Sequence, residues 1–234
     1  MRHPARHDEA LAWLAPYGPD LAWGFTNHHP MVVEALYALG RGEAALPWLE
    51  AHRDGLVPRD DPREAIAGDG HEALGRPERF ADWEVRIQAD LGRRPWRAVV
   101  GEWGARLAPG AAGAATHGLI RTAHAARALG EADTELRRAE LAAGIAYWAA
   151  TYQQLPAAAP AVVETGPASE ALRYVPMIRD TRPEAGSIVD AFRSLDACPA
   201  FASVIHRLDV ARDPDAVVAG PTATFSAALP ANPE

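Results

Sequence analysis

Two short motifs set imidazole rings at the start of apolar segments far apart in the chain. Asn27-His28-His29-Pro30-Met31 runs into Val32, Leu36 and Leu39. Thr116-His117-Gly118-Leu119-Ile120-Arg121-Thr122-Ala123-His124 runs into the Ala-rich stretch that ends near Leu129. Imidazole binds metals and exchanges protons near neutral pH, so histidines brought together from distant segments form a chemically capable site. If the two segments are packed helices, His28, His117 and His124 are predicted to meet in one interior pocket.

Local signals set the first ring. Asn27 suits an N-cap and Pro30 is tolerated in a first helical turn, which puts His28 near the first helical position. From there the i+3, i+4, i+7 and i+11 positions are Met31, Val32, Ala35 and Leu39. This apolar face predicts that His28 points at the core, with His29 and Glu34 displaced from it. The plain alternative is a core or capping histidine that donates to a backbone carbonyl.

In the second motif Thr116 is the expected N-cap. His117, Arg121, His124 and Ala128 fall on one narrow stripe, and most of the remaining circumference is apolar. Such a helix is usually buried, which would turn the stripe toward a cavity. An ordinary wet face that also carries Arg127 fits the pattern equally well. Seven helical residues separate His117 from His124 by about 10.5 Å of rise. One metal could therefore join both only from midway, and zinc helices more often use i, i+4 spacing, where Arg121 stands here. His28 with one of the pair, plus ligands from elsewhere, makes an easier site.

The elements that must carry these rings are helical in spacing. Val32, Leu36 and Leu39 end at Gly40. Phe80, Trp83, Ile87 and Leu91 follow Pro77, and Trp96, Val99, Trp103 and Leu107 follow Pro95 and end at Pro109-Gly110. A long helix is predicted over residues 134–154, with Leu141, Ile145, Trp148 and Tyr152 as its stripe. Strand signals are nearly absent, Ala161-Val162-Val163 being the best. The predicted fold is all-α, an Ala-rich bundle-like array. Residues 1–155 form an N-terminal helical region, residues 156–167 a linker, and residues 168–234 a shorter-helix extension of the same domain. A second linker is expected at residues 110–115. Short helices are expected near residues 169–177, 187–195, 199–208 and 215–229.

Composition bounds the function. The 234 residues suffice for a sizeable core, and 48% are apolar against 23% charged, as in ordinary globular chains. A net charge of -8 argues against a nucleic-acid partner. One cysteine, Cys198, excludes an internal disulfide and suits a reducing compartment, and no segment reaches the roughly 20 apolar residues of a membrane span. A cytoplasmic enzyme or binding protein is the expectation. Gly110-Ala-Ala-Gly113 follows no predicted strand, so it is no dinucleotide fingerprint. A lone cysteine is usually a small buried residue, and His3, His7, His52, His71 and His206 carry no ligand pattern.

At these same residues the chain resembles the questin oxidase-like family. The likeness lies in Asn27-His28-x-Pro30-Met31 with Glu34-Ala35-Leu36, in Trp96 to Leu107, in Thr116-His117-Gly118-Leu119-Ile120-Arg121-x-x-His124, and in Ala142 to Tyr152. It covers most of residues 20–155. The resemblance implies an all-helical, oxygen-dependent oxidoreductase that opens or oxygenates the ring of an aromatic polyketide. It implies a histidine-bound non-haem iron: His28 and His117 match the family histidines and His124 the bacterial pattern only. On this expectation His28, His117 and His124 are the metal ligands, and Arg121 is then placed to bind a phenolate oxygen of the substrate. NADPH enters through the resemblance alone. Met31 and Arg121 stand where fungal members carry further histidines. Family members usually continue through another helical half, so a shortened relative is either a silent binding or assembly protein or completes its site from a second subunit.

Overall fold

The computed structural model describes residues 4–157, 163–167, 170, 172–176, 188–207, 218–220 and 222–223. The chain divides into two compact units, residues 1–154 and residues 155–234. The first contains α1 (Pro4–Leu14), β1 (Tyr17–Leu21), α2 (His29–Ala38), α3 (Ala45–Ala51), β2 (Leu56–Pro58), α4 (Phe80–Arg93), α5 (Trp96–Leu107), α6 (His117–Glu131) and α7 (Glu135–Ala150). The fold is all-α. Among the described residues the only sheet is the antiparallel pair β1–β2, whose register breaks between Tyr17 and Leu21. Neither strand nor α1 and α3 was anticipated; β1 contains Gly18 and Pro19, which carry no strand signal.

Helix α7 is the centre of this unit. Thr134 caps it by accepting the Arg137 backbone N–H at 3.4 Å, and every residue from Leu141 to Ala150 is buried. Its small residues let neighbours approach closely. A Cβ on Gly118 of α6 would lie 2.4 Å from Trp148 Cα, and one on Gly144 would lie 2.9 Å from Thr122 N. On the other side, Trp83 of α4 and Trp103 of α5 meet edge to face with centroids 5.6 Å apart. Both indole N–H groups are satisfied, by the Ala73 carbonyl and by Asp90, each at 3.0 Å. Burial of each Leu or Ile on this face is worth about 1.5–3 kcal/mol.

A smaller core of Ala10, Leu14, Val33, Ala45 and Leu49 joins α1, α2 and α3. It fixes the rotation of α2 and hence the segment before it. Helix α2 ends as its sequence suggests, with Gly40 at φ +74 and the Arg41 N–H donating to the Leu36 carbonyl at 2.7 Å. Helices α4 and α5 also start where Pro77 and Pro95 place them, within a turn.

The second unit contains α8 (Ile188–Arg193) and α9 (Pro199–Ala202), with 3-10 turns at Leu172–Tyr174, Ser194–Ala197 and Val204–Arg207. Cys198, half-buried and free, precedes α9. Residues 218–220 and 222–223 are helical, whereas Ala161 and Val162 of the strand candidate lie outside the described residues. No helix among the described residues is long and apolar enough to cross a membrane.

Candidate functional site: two histidines at converging helix starts

The start of α2 and the start of α6 come together, and His28 and His117 face each other across the gap. Their Nε2 atoms lie 2.8 Å apart, with the rings nearly perpendicular at 88°. Each ring is oriented from behind by a backbone carbonyl. His28 Nδ1 donates to the Thr26 carbonyl at 2.7 Å, and His117 Nδ1 donates to the Ala114 carbonyl at 2.5 Å. A carbonyl oxygen only accepts, so both Nδ1 atoms carry hydrogen and both Nε2 atoms present lone pairs when the rings are neutral. Two lone pairs at this distance repel. The arrangement is favourable only with a proton, or another electrophile, held between the two nitrogens.

The location differs from the interior pocket that helical phase predicted. His28 is exposed and His117 half-buried. His28 lies one residue before α2, with backbone angles of -81° and -8°, so counting faces from it misassigns the side chains that follow. His29 and Glu34, which were expected off the core face, are buried. Asn27 is not the cap of α2: His28 holds that position without a side-chain capping bond. Asn27, one residue earlier, accepts the His29 backbone N–H on Oδ1 at 3.0 Å and also contacts His29 Nδ1 at 2.7 Å. Thr116 does not cap α6; its side chain makes no capping bond and its φ is +70.

His117 sits on a turn of unusual conformation. Ala114, Ala115 and Thr116 have φ of +46, +52 and +70, three successive left-handed residues of which none is glycine. Each such residue costs roughly 1–2 kcal/mol. The segment expected to be a linker at residues 110–115 is therefore a constrained turn. Gly113 packs so tightly on the end of α7 that a Cβ there would lie 2.0 Å from the Thr151 carbonyl oxygen.

His28 is tied to α7 through Thr26. The carbonyl of Thr26 holds the His28 ring, and its hydroxyl bonds to the Tyr147 hydroxyl at 2.9 Å. Tyr147 in turn donates to Asp20 at 2.7 Å. Burial pushes the Asp20 carboxyl above its ordinary range, against the Tyr147 hydrogen bond and the nearby Arg121 charge, which lower it. Burial also raises the Tyr147 phenol, with the Asp20 charge adding to it. Sequence reasoning missed Thr26, Asp20 and Tyr147, because nothing local announces contacts across 121 and 127 residues.

The other two expected site residues are engaged elsewhere. His124 Nδ1 contacts Glu34 at 2.6 Å, and Arg127 grips both oxygens of the same carboxylate. Burial opposes the Glu34 charge, but the hydrogen bonds from Arg127 and His124 outweigh it and hold the carboxyl below its ordinary range. This cluster pins α2 to α6 two turns along from the histidine pair. Arg121 is 2% exposed and bonded through both Nε and Nη2 to Glu140, at 2.6 and 2.8 Å. Its Nη1 is buried without a partner. It lines a cavity of ≈ 40 Å³ with Asn27, Pro30, Arg59 and Glu140. A cavity that admits benzene measures about 150 Å³, so an aromatic phenolate does not fit beside Arg121.

A three-histidine iron site is thus not brought together. His28 and His117 offer two converging nitrogens, but His124 is held by a carboxylate. Among the described residues no three metal-ligating side chains form a group. The residues present do not make up that donor set. Comparison with protein-family models, with curated proteins and with solved structures found no match to this chain.

Proposed function

We propose that this chain is an oxidoreductase of the questin oxidase-like kind that acts on a phenolic aromatic substrate, with the His28–His117 pair as its proton acceptor. The observation that carries the reading is the pair itself: two Nε2 lone pairs converge at 2.8 Å while both Nδ1 hydrogens are committed to carbonyls. A phenolic O–H that reaches the mouth of the pair loses its proton to one Nε2. The resulting N–H donates to the other ring, which stabilises the conjugate acid as a single imidazole cannot.

The surroundings favour the charge left behind. His28 and His117 stand at the starts of helices of 10 and 15 residues, whose positive ends meet here and stabilise a phenolate. Trp23 and Phe25, which precede His28 in a tight turn, are 58% and 67% exposed, as are Leu119 and Ile120 of α6 in part, at 39% each. These are surfaces on which a planar ring stacks. The phenolate ring carbon next to the oxygen then attacks dioxygen, and a C–O bond forms. The peroxide closes on the neighbouring carbon, and the ring C–C bond and the O–O bond break together. Both oxygen atoms end in the ring-opened product, so the balance needs no external reductant and no NADPH.

The test is oxygen uptake with a dihydroxyanthraquinone as probe, on protein whose iron content is measured by elemental analysis. The reading predicts substrate-dependent uptake by protein that holds far less than one iron per chain. It also predicts loss of at least a hundredfold in His28→Gln and His117→Gln, with unchanged melting behaviour. Uptake that tracks bound iron would return the site to metal chemistry. A folded wild-type chain without uptake would leave a silent binding or assembly protein.

A further inference from the structure

The left-handed turn at residues 114–116 has a role that its sequence does not announce. Alanine and threonine adopt positive φ reluctantly, and a glycine at any of the three positions would relieve the strain. Ala114, Ala115 and Thr116 nevertheless all do so, immediately before His117. A right-handed approach to α6 would align the Ala114 carbonyl with the helix axis, as every helical carbonyl is aligned. The left-handed turn curls it back onto the ring, where it accepts the His117 Nδ1 hydrogen at 2.5 Å. Both flanks of the turn are clamped to α7: Gly113 lies against the Thr151 carbonyl and Gly118 against the Trp148 backbone. Between two clamps the turn has one way to close.

We infer that Ala114, Ala115 and Thr116 are positioning residues, whose strained turn locks the His117 ring with hydrogen on Nδ1 and its Nε2 lone pair toward His28. The inference rests on reading the histidine pair as the reacting centre, but its structural part is separable from that reading. A flexible turn would let His117 take either tautomer and rotate away. The side chains that exclude glycine keep the turn in one shape, at a loss of stability spread over three residues.

The experiment uses the full chain with Ala115→Gly and, separately, Thr116→Gly. Thermal melting and the nitrogen resonances of ¹⁵N-histidine-labelled protein are measured together. Relief of strain should raise Tm by about 3–6 °C. In the same variants His117 should pass from a pure Nδ1–H tautomer to a mixture, while His28, held by Thr26, keeps its own. Oxygen uptake with a dihydroxyanthraquinone should fall about tenfold. A more stable protein with a worse-ordered His117 cannot be explained by damage to the fold. A His117 tautomer unchanged in both variants, or a Tm that fails to rise, overturns the inference. A wild type with the single tautomer but no oxygen uptake would remove the proposed reaction and leave the positioning role standing.

Discussion

Acid should weaken this fold from about pH 6.5 downward, and His7 is a principal reason. His7 lies on α1, 4% exposed, stacked on Tyr37 with ring centroids 4.7 Å apart. Burial, seconded by the Arg137 charge, lowers its pKa from 6.5 to about 4. The native state therefore keeps the ring neutral where the unfolded chain binds a proton. Between pH 6.5 and 4 only the unfolded state takes up that proton, so stability falls with pH across this window and the His7 contribution levels off below it. A shift of about 2.5 units corresponds to ~3 kcal/mol at 1.36 kcal/mol per unit, a large part of the stability of a small domain. His7→Phe keeps an aromatic ring on Tyr37 and removes the titration. Urea unfolding at intervals from pH 7 to 4 should show the wild type losing ~3 kcal/mol more than the variant. Parallel curves for the two proteins would refute the buried, neutral assignment of His7.

Two further substitutions test how the histidine pair is supported. Tyr147→Phe leaves Thr26 and Asp20 without their shared hydroxyl and should lower stability by about 1–3 kcal/mol by urea titration; it should also loosen the His28 ring, seen as tautomer mixing at that residue alone. Gly118→Ala sets a methyl 2.4 Å from Trp148 Cα, a backbone atom that cannot yield without moving α7. It should cost about 3 kcal/mol or more by the same assay and part the α6 start from α7. A neutral result for Gly118→Ala would contradict the close approach of α6 to α7 at Gly118.

Much of the fold was legible because its signals are local. Pro77, Pro95 and Gly40 punctuate periodic apolar stripes, and α4, α5, α7 and the end of α2 follow them closely. The meeting of His28 with His117 was also anticipated, since both open helices that need a partner. The surroundings were not, for two physical reasons. A helical wheel is only as good as its starting phase, and His28 stands just outside its helix, so the predicted faces of Glu34 and His29 were misplaced. Partners such as Glu34 for His124, Glu140 for Arg121 and Tyr147 for Thr26 are chosen by packing between distant segments, and no spacing encodes them. The left-handed turn was invisible because Ala-Ala-Thr is an ordinary helical composition. Only its clamps at Gly113 and Gly118 hint at it.

The claim on which the account turns is that the two facing Nε2 atoms take up one proton from a phenol and share it. Scalar coupling between ¹⁵N nuclei across the N–H···N bond, recorded on ¹⁵N-histidine-labelled protein with His28→Gln and His117→Gln for assignment, reads that contact directly. With a phenolic probe bound, the account predicts a coupled pair of Nε2 resonances sharing one proton; without it both Nε2 atoms are bare, and both Nδ1 atoms are protonated in either state. Uncoupled rings with the probe bound, or hydrogen on Nε2 with Nδ1 bare in either residue, would contradict it.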